Sequence, residues 1–264
     1  MPTFQDLKKK LTIEKNSNVP QKSCSLPSNG AKALIIPMKV RDHKDLLKAL
    51  QKSDEYLINE AFDTILQNSV IKVDDKPFDV DDLCQQDRGF LLLEVRKLTA
   101  GPIAKISHEC PISHKVISDI EIDLDTLKVD YYKGDSIIRE IKVSENVKFV
   151  YGPFTRKDEK AMEKWMKTQG KDFSFLDRKY GIYAGLIRQG FLMNEETKEW
   201  EEVPMDFLQK LEFVNNSFTQ DDIKTIDTYI KEELDFGVRI RFPFKSDVYQ
   251  NDEEEGDVVS FFIM

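Results

Sequence analysis

Apolar residues along the chain follow two rhythms, one of helices and one of strands. Phe4, Leu7, Leu11 and Ile13 recur at helical spacing and predict a short amphipathic helix over residues 1–15. Residues 16–30, NSNVPQKSCSLPSNG, are rich in Asn, Ser, Pro and Gly and predict a linker. A strand is expected at 33–38, with Pro37 at its end or on a sheet edge. Leu46, Leu47 and Leu50 mark the next helix. Ser53 is placed to cap another, whose apolar face is Ile58, Phe62, Ile65 and Leu66. The turn-rich VDDKPFDVDD then leads to a helix over 86–98, which Gly101 and Pro102 terminate.

Between 115 and 150 the period falls to two. VISDIEIDL alternates apolar with acidic residues, as a sheet with one wet face requires, and YYKGDSII is expected to form a hairpin turn. Thr155, with Asp158 three residues on, marks a helix start, and Met162, Trp165 and Met166 form its apolar stripe. SFLDRKYGIYAGLIRQG predicts a helix stopped by Gly190, and FLMNEETKEWEEV a short hairpin. Helices are expected from near Pro204, and from Thr219 to about Phe236 with Gly237 closing it. VRIRFPF reads as a strand, NDEEEGD as a loop and VVSFFIM as a last apolar strand.

The order of these elements repeats. PMKVRDHKDLLKAL lies without gaps over PFTRKDEKAMEKWM, sharing Pro, Asp, Lys and Lys. Each half then continues through helices to Gly101 or Gly237, a short strand, a proline-bearing corner and another apolar strand. The pattern predicts an α+β fold of two related lobes, residues 31–145 and 146–264. Each would be a small, mostly antiparallel sheet packed with several helices. A single α+β domain with recurring punctuation is the alternative.

Composition narrows the function. The 264 residues carry a formal charge of −9, with a pI near 5.1, which argues against a general nucleic-acid binder. No apolar run approaches the roughly 20 residues that span a bilayer, and the N-terminus lacks the apolar core of a secretory signal. Cys24, Cys84 and Cys110 fit reduced intracellular thiols better than a disulfide framework.

Few residues promise chemistry. His108, Cys110 and His114 fall within HECPISH and are candidate zinc ligands, but the fourth ligand of a structural site is missing nearby. A polar β-turn is the alternative. Asp119, Glu121, Asp123 and Asp125 lack the Gly and Glu spacing of a calcium loop and read as a solvated face. Gly181, Gly185 and Gly190 match no phosphate cradle, and close helix packing explains Gly181 and Gly185 better. No GxSxG elbow occurs, and His43 sits on a highly charged helix. The expectation is a non-enzymatic protein that works by contact. A zinc-knuckle regulatory module binding nucleic acid, using the histidine–cysteine fragment and Lys8, Lys9 and Lys10, is the alternative.

Two stretches carry a resemblance. They are LIIPMKVRDHKDLLKAL and FDVDDLCQQDRGFLLLEVRKLTAGPIAKISHECP, in which Asp87 precedes Phe90, Leu91, Leu92 and Arg96. With Phe261 and Phe262 near the C-terminus, they resemble the baseplate hub and hub-assembly proteins of T-even-like contractile-tailed bacteriophages, over roughly residues 31–264. The resemblance implies assembly of the baseplate central hub through contacts with other hub and tail proteins, as a minor hub component or an assembly factor. It implies residence in the host cytoplasm during assembly, or in the virion tail baseplate. Members often carry paired cysteines at strand corners, implying a metal-binding knuckle. Here Cys110 has no CxxC partner, and the corner around Phe244 and Ser246 has no cysteine. The N-terminal helix would then be a docking arm anchored by Phe4, Leu7 and Leu11, unless it packs on its own body.

Overall fold

The computed structural model describes residue 3, residues 19–169 and residues 174–262. Phe4, Leu7 and Leu11 lie outside the described residues. The fold is α+β. Strands β1 (Lys22–Ser25), β2 (Lys32–Ile35), β3 (Val70–Val73) and β4 (Lys76–Pro77) form an antiparallel sheet in that order. Helices α1 (Val40–Lys52) and α2 (Glu55–Ser69) are inserted between β2 and β3. Helix α3 (Gln85–Ala100) follows, then the hairpin β5 (Ile103–Glu109) and β6 (Val116–Asp123), and β7 (Lys128–Asp130).

The second half begins on the same plan, a four-stranded sheet with a helix pair inserted between its second and third strands. Strands β8 (Arg139–Lys142), β9 (Val147–Tyr151), β10 (Ile187–Met193) and β11 (Trp200–Val203) form a second four-stranded sheet in sequence order. Helices α4 (Arg156–Gln169) and α5 (Phe175–Leu186) are inserted between its second and third strands. Then come α6 (Phe207–Ser217), α7 (Gln220–Glu233), β12 (Gly237–Arg239), and the hairpin β13 (Arg241–Lys245) and β14 (Gln250–Glu255). The matched peptides of the two halves thus run into α1 and α4, the first helix of each inserted pair. Strand β12 pairs with β7, tying the halves together.

Among the described residues, three apolar cores result. The first packs Ile35, Leu46, Phe62, Ile65 and Leu91, and the second packs Phe149, Tyr151, Tyr183, Ile226 and Tyr229. The third closes the two hairpins on each other through Ala104, Ile106, Phe242 and Phe244. Helix α3 is buried on every side from Phe90 to Val95, because its Leu93 enters the third core while Leu91 and Leu92 enter the first. Gly181 and Gly185 let helices approach: a Cβ on Gly181 would meet Met162 Sδ at 2.8 Å, and one on Gly185 would strike the Phe154 ring.

Several sequence expectations are corrected. The described part of the 16–30 linker holds β1, which pairs with β2; the Pro-Ser-Asn-Gly run is the tight turn between them, with Gly30 at φ 72°. Ser53 is the left-handed end of α1 at φ 50°, and Asp54 caps α2 by accepting from the Leu57 N–H at 3.2 Å. YYKGDSII is no hairpin turn, because β7 pairs with β12 and β8 with β9. Gly190 sits within β10 rather than stopping a helix; a Cβ there would meet Met205 Cε at 2.5 Å. The acidic NDEEEGD run supplies most of β14. The apolar C-terminal run forms a short 3-10 turn over Val259–Phe262, where Phe261 enters the third core and Phe262 the first.

Candidate interaction surfaces

The corners of the two hairpins meet. Cys110 follows Gly101 by the same spacing with which Ser246 follows Gly237. Their side chains touch, Cys110 Sγ to Ser246 Oγ, at 3.2 Å. Each accepts an N–H from three residues on: Ser113 N donates to Cys110 Sγ at 3.5 Å, and Tyr249 N donates to Ser246 Oγ at 3.1 Å. The corners are therefore built alike, with sulfur in one and oxygen in the other. Covering the Cys110 thiol raises its pKa, but hydrogen bonds from Ser113, Ser246 and the neighbouring backbone outweigh this and bring it down to about 7.

The expected zinc ligands do not converge. His108 packs edge-on against Phe242 and Phe244, and its Nε2 lies 3.5 Å from Glu254. His114 points to Glu109 at 2.8 Å from an exposed turn. Of the three, Cys110 is the one bonded to Ser246. Among the described residues, no three His, Cys, Asp or Glu side chains come together as a metal-holding group. His43 is engaged elsewhere, its Nε2 3.2 Å from the Phe262 carbonyl.

A buried charge cluster joins the halves, and sequence reasoning missed it. Asp63 on α2 meets Arg88 Nη2 on α3 at 2.9 Å and Arg156 Nε on α4 at 2.8 Å. Arg156 Nη1 also reaches Glu159 at 2.9 Å and Glu163 at 2.8 Å. Burial lowers the Arg88 pKa; at Arg156 bonds to Glu163 and Asp63 overcome burial and raise it. The Arg156 N–H donates to the Leu83 carbonyl at 2.9 Å, extending the seam into the backbone. An arginine at the start of a helix with Asp158 and Glu159 in its first turn was the available signal, but its partner Asp63 is distant in sequence.

The described residues form several concavities, two of which bear on function. A cleft of about 430 Å³ between the halves is lined by Ser28, Asp87, Thr155 and Arg188. Some of its polar groups are paired: Asp87 accepts from Ser28 N at 3.0 Å and Oγ at 2.5 Å, and Arg188 Nη2 donates to Asp158 at 2.7 Å, while the buried Arg188 Nε has no hydrogen-bond partner among the described residues. Burial pushes the Asp87 carboxyl pKa up, against the pull of the Ser28 bonds. The second is an apolar groove of about 210 Å³ beside the second sheet, lined by Phe149, Leu192, Val203, Met205 and Phe213. Leu192 is 50% exposed and Val203 42%, so the groove opens to solvent with apolar side chains at its rim. Among the described residues, no helix is long and apolar enough to cross a membrane.

No curated protein and no solved structure matches the chain. The family model described as T4 bacteriophage base plate protein matches residues 19–262, which takes in both sheets, both hairpins and the seam between them. The chain belongs to the T4 bacteriophage base plate protein family.

Proposed function

We propose that this protein takes part in assembling the central hub of the phage baseplate through protein–protein contacts, as a minor hub component or an assembly factor, and that it catalyses no reaction. Family membership supplies the baseplate setting. The observation that carries the reading further is the open apolar groove at Leu192 and Val203. It has no convergent polar groups of the kind that orient a small substrate, and its shape suits an apolar side chain from another protein. Three groups with chemical potential are engaged in structural bonds: Asp87 with Ser28, His43 with the Phe262 carbonyl, and Cys110 with Ser246.

The partners in this reading are other tail and hub proteins of the phage, met in the host cytoplasm during assembly. Phe4, Leu7 and Leu11 are the proposed anchors of a docking arm. Electron microscopy of particles made without this protein tests the proposal. Tails with absent or incomplete baseplate hubs are expected, whereas normal baseplates would overturn it. Mass spectrometry of purified particles then separates a component, which is present, from an assembly factor, which is not.

A further inference from the structure

Among the described residues, the outer strands of the second sheet, β8 and β11, are hydrogen-bonded to another strand on one side only. An outer strand presents unpaired N–H and C=O groups to any strand that can align with it. In the first half, the strand in the place of β11 is the two-residue β4, closed by Pro77. β11 is four residues long, with Pro204 only after its end, and β8 is four residues long without proline.

The side chains of these two edges are complementary. β11 carries the exposed Glu201 and Glu202, bonded by neutral amides, Asn194 Nδ2 at 2.6 Å and Gln189 Nε2 at 3.1 Å. β8 carries the exposed Lys142, which stands directly opposite Lys148 of β9. Like charges opposite one another destabilise a sheet. Lys148 is neutralised by Glu140 at 2.8 Å, while among the described residues Lys142 has no acidic partner.

The register of the sheet decides which residues could meet. Ile141 stands opposite Phe149, Phe149 opposite Gly190, and Gly190 opposite Val203, so Ile141 and Val203 share the helix-covered face. Lys142, Lys148, Phe191 and Glu202 are linked in the same way on the other face. An antiparallel β8 from a second copy, set with Ile141 opposite Val203, therefore places Lys142 opposite Glu202. A slip of one residue turns every side chain to the wrong face. A slip of two that brings Ile141 opposite Glu201 sets Glu140 against Glu202. One alignment satisfies both the apolar face and the charged face, through the pairs Ile141–Val203 and Lys142–Glu202, with Glu140 opposite Pro204 just beyond β11.

We infer that copies of this chain associate head to tail, β8 of one adding to β11 of the next. The contact is heterologous, so it generates a ring where the rotation closes and a filament where it does not. It stands on the strand edges alone and does not depend on the identity of any baseplate partner.

Sedimentation velocity of the full purified chain across a dilution series tests it, with circular dichroism confirming the fold of each variant. Wild type should form larger species as concentration rises. Glu202→Lys and Lys142→Glu, both at exposed positions, should each weaken that association at least tenfold, and the double exchange should restore it. A wild type that stays monomeric at the highest concentration would overturn the inference. So would folded single variants that associate like wild type, or a folded double variant that stays dissociated.

Discussion

Arg156 on α4 donates its Nε–H to Asp63 Oδ2 on α2 at 2.8 Å, and both side chains are almost closed to solvent. The bond crosses between the halves, and Arg88 holds the other Asp63 oxygen. A buried charge left without its partner is costly, because water no longer solvates it. Asp63→Ala should therefore lower stability by about 3–5 kcal/mol, read as a drop in the urea midpoint. Replacing Glu253, which pairs with Arg241 on the exposed surface, should change stability by under about 1 kcal/mol.

The C-terminal aromatic pair ties the second half to the first. Phe262 meets Phe62 edge-on with ring centroids 5.3 Å apart, and Arg96 Nε donates to the Phe261 carbonyl at 2.7 Å. Phe262→Ala removes a fully buried ring and should cost about 3–5 kcal/mol by the same denaturation measurement.

Close packing at Gly185 is also open to test. A methyl group there would strike the Phe154 ring and lie 3.2 Å from Asp158 Cβ. Gly185→Ala should destabilise by about 1–3 kcal/mol, with the loss seen in thermal melting. Gly89→Ala, whose added Cβ would lie 3.8 Å from Val258, should be tolerated far better.

Cys110 predicts a pH dependence with a definite sign. Its thiol pKa falls from 9.0 to about 7 in the folded chain. Between those values the unfolded chain holds a proton that the folded chain has lost, so stability from this group rises with pH. It is present in full above 9 and is lost as pH falls through about 7. The stability advantage of wild type over Cys110→Ser should therefore grow from pH 7 to pH 9 under reducing conditions. Thiolate absorbance should show a step near 7 that the variant lacks, since Cys24 is pushed up to about 11 and burial also raises Cys84.

Much of the fold was legible in the residues, for reasons that are local. Thr155 and Asp158 bond to each other at the start of α4, and Thr219 caps α7, because capping chemistry is written within four residues. The errors fall where distant contacts decide. β1 has no apolar alternation and exists because β2 pairs with it. The acidic β14 is a strand because β13 aligns it, and Phe261 and Phe262 form a turn because two separate cores draw them apart. The candidate sites were less legible still. HECPISH looked like a ligand set, yet His108 turns to Phe242 and Phe244 while His114 turns to Glu109. The groove at Leu192 has no motif, because its lining comes from β9, β10, β11 and α6.

Affinity capture of the tagged full chain, co-expressed with the other baseplate proteins of its phage, tests the contact role most directly. Wild type should retain at least one baseplate protein. Leu192→Asp, which places a charge on the exposed rim of the groove, should retain at least tenfold less while keeping its fold by circular dichroism. Recovery of no baseplate protein by wild type, or undiminished recovery by the folded variant, would contradict the account.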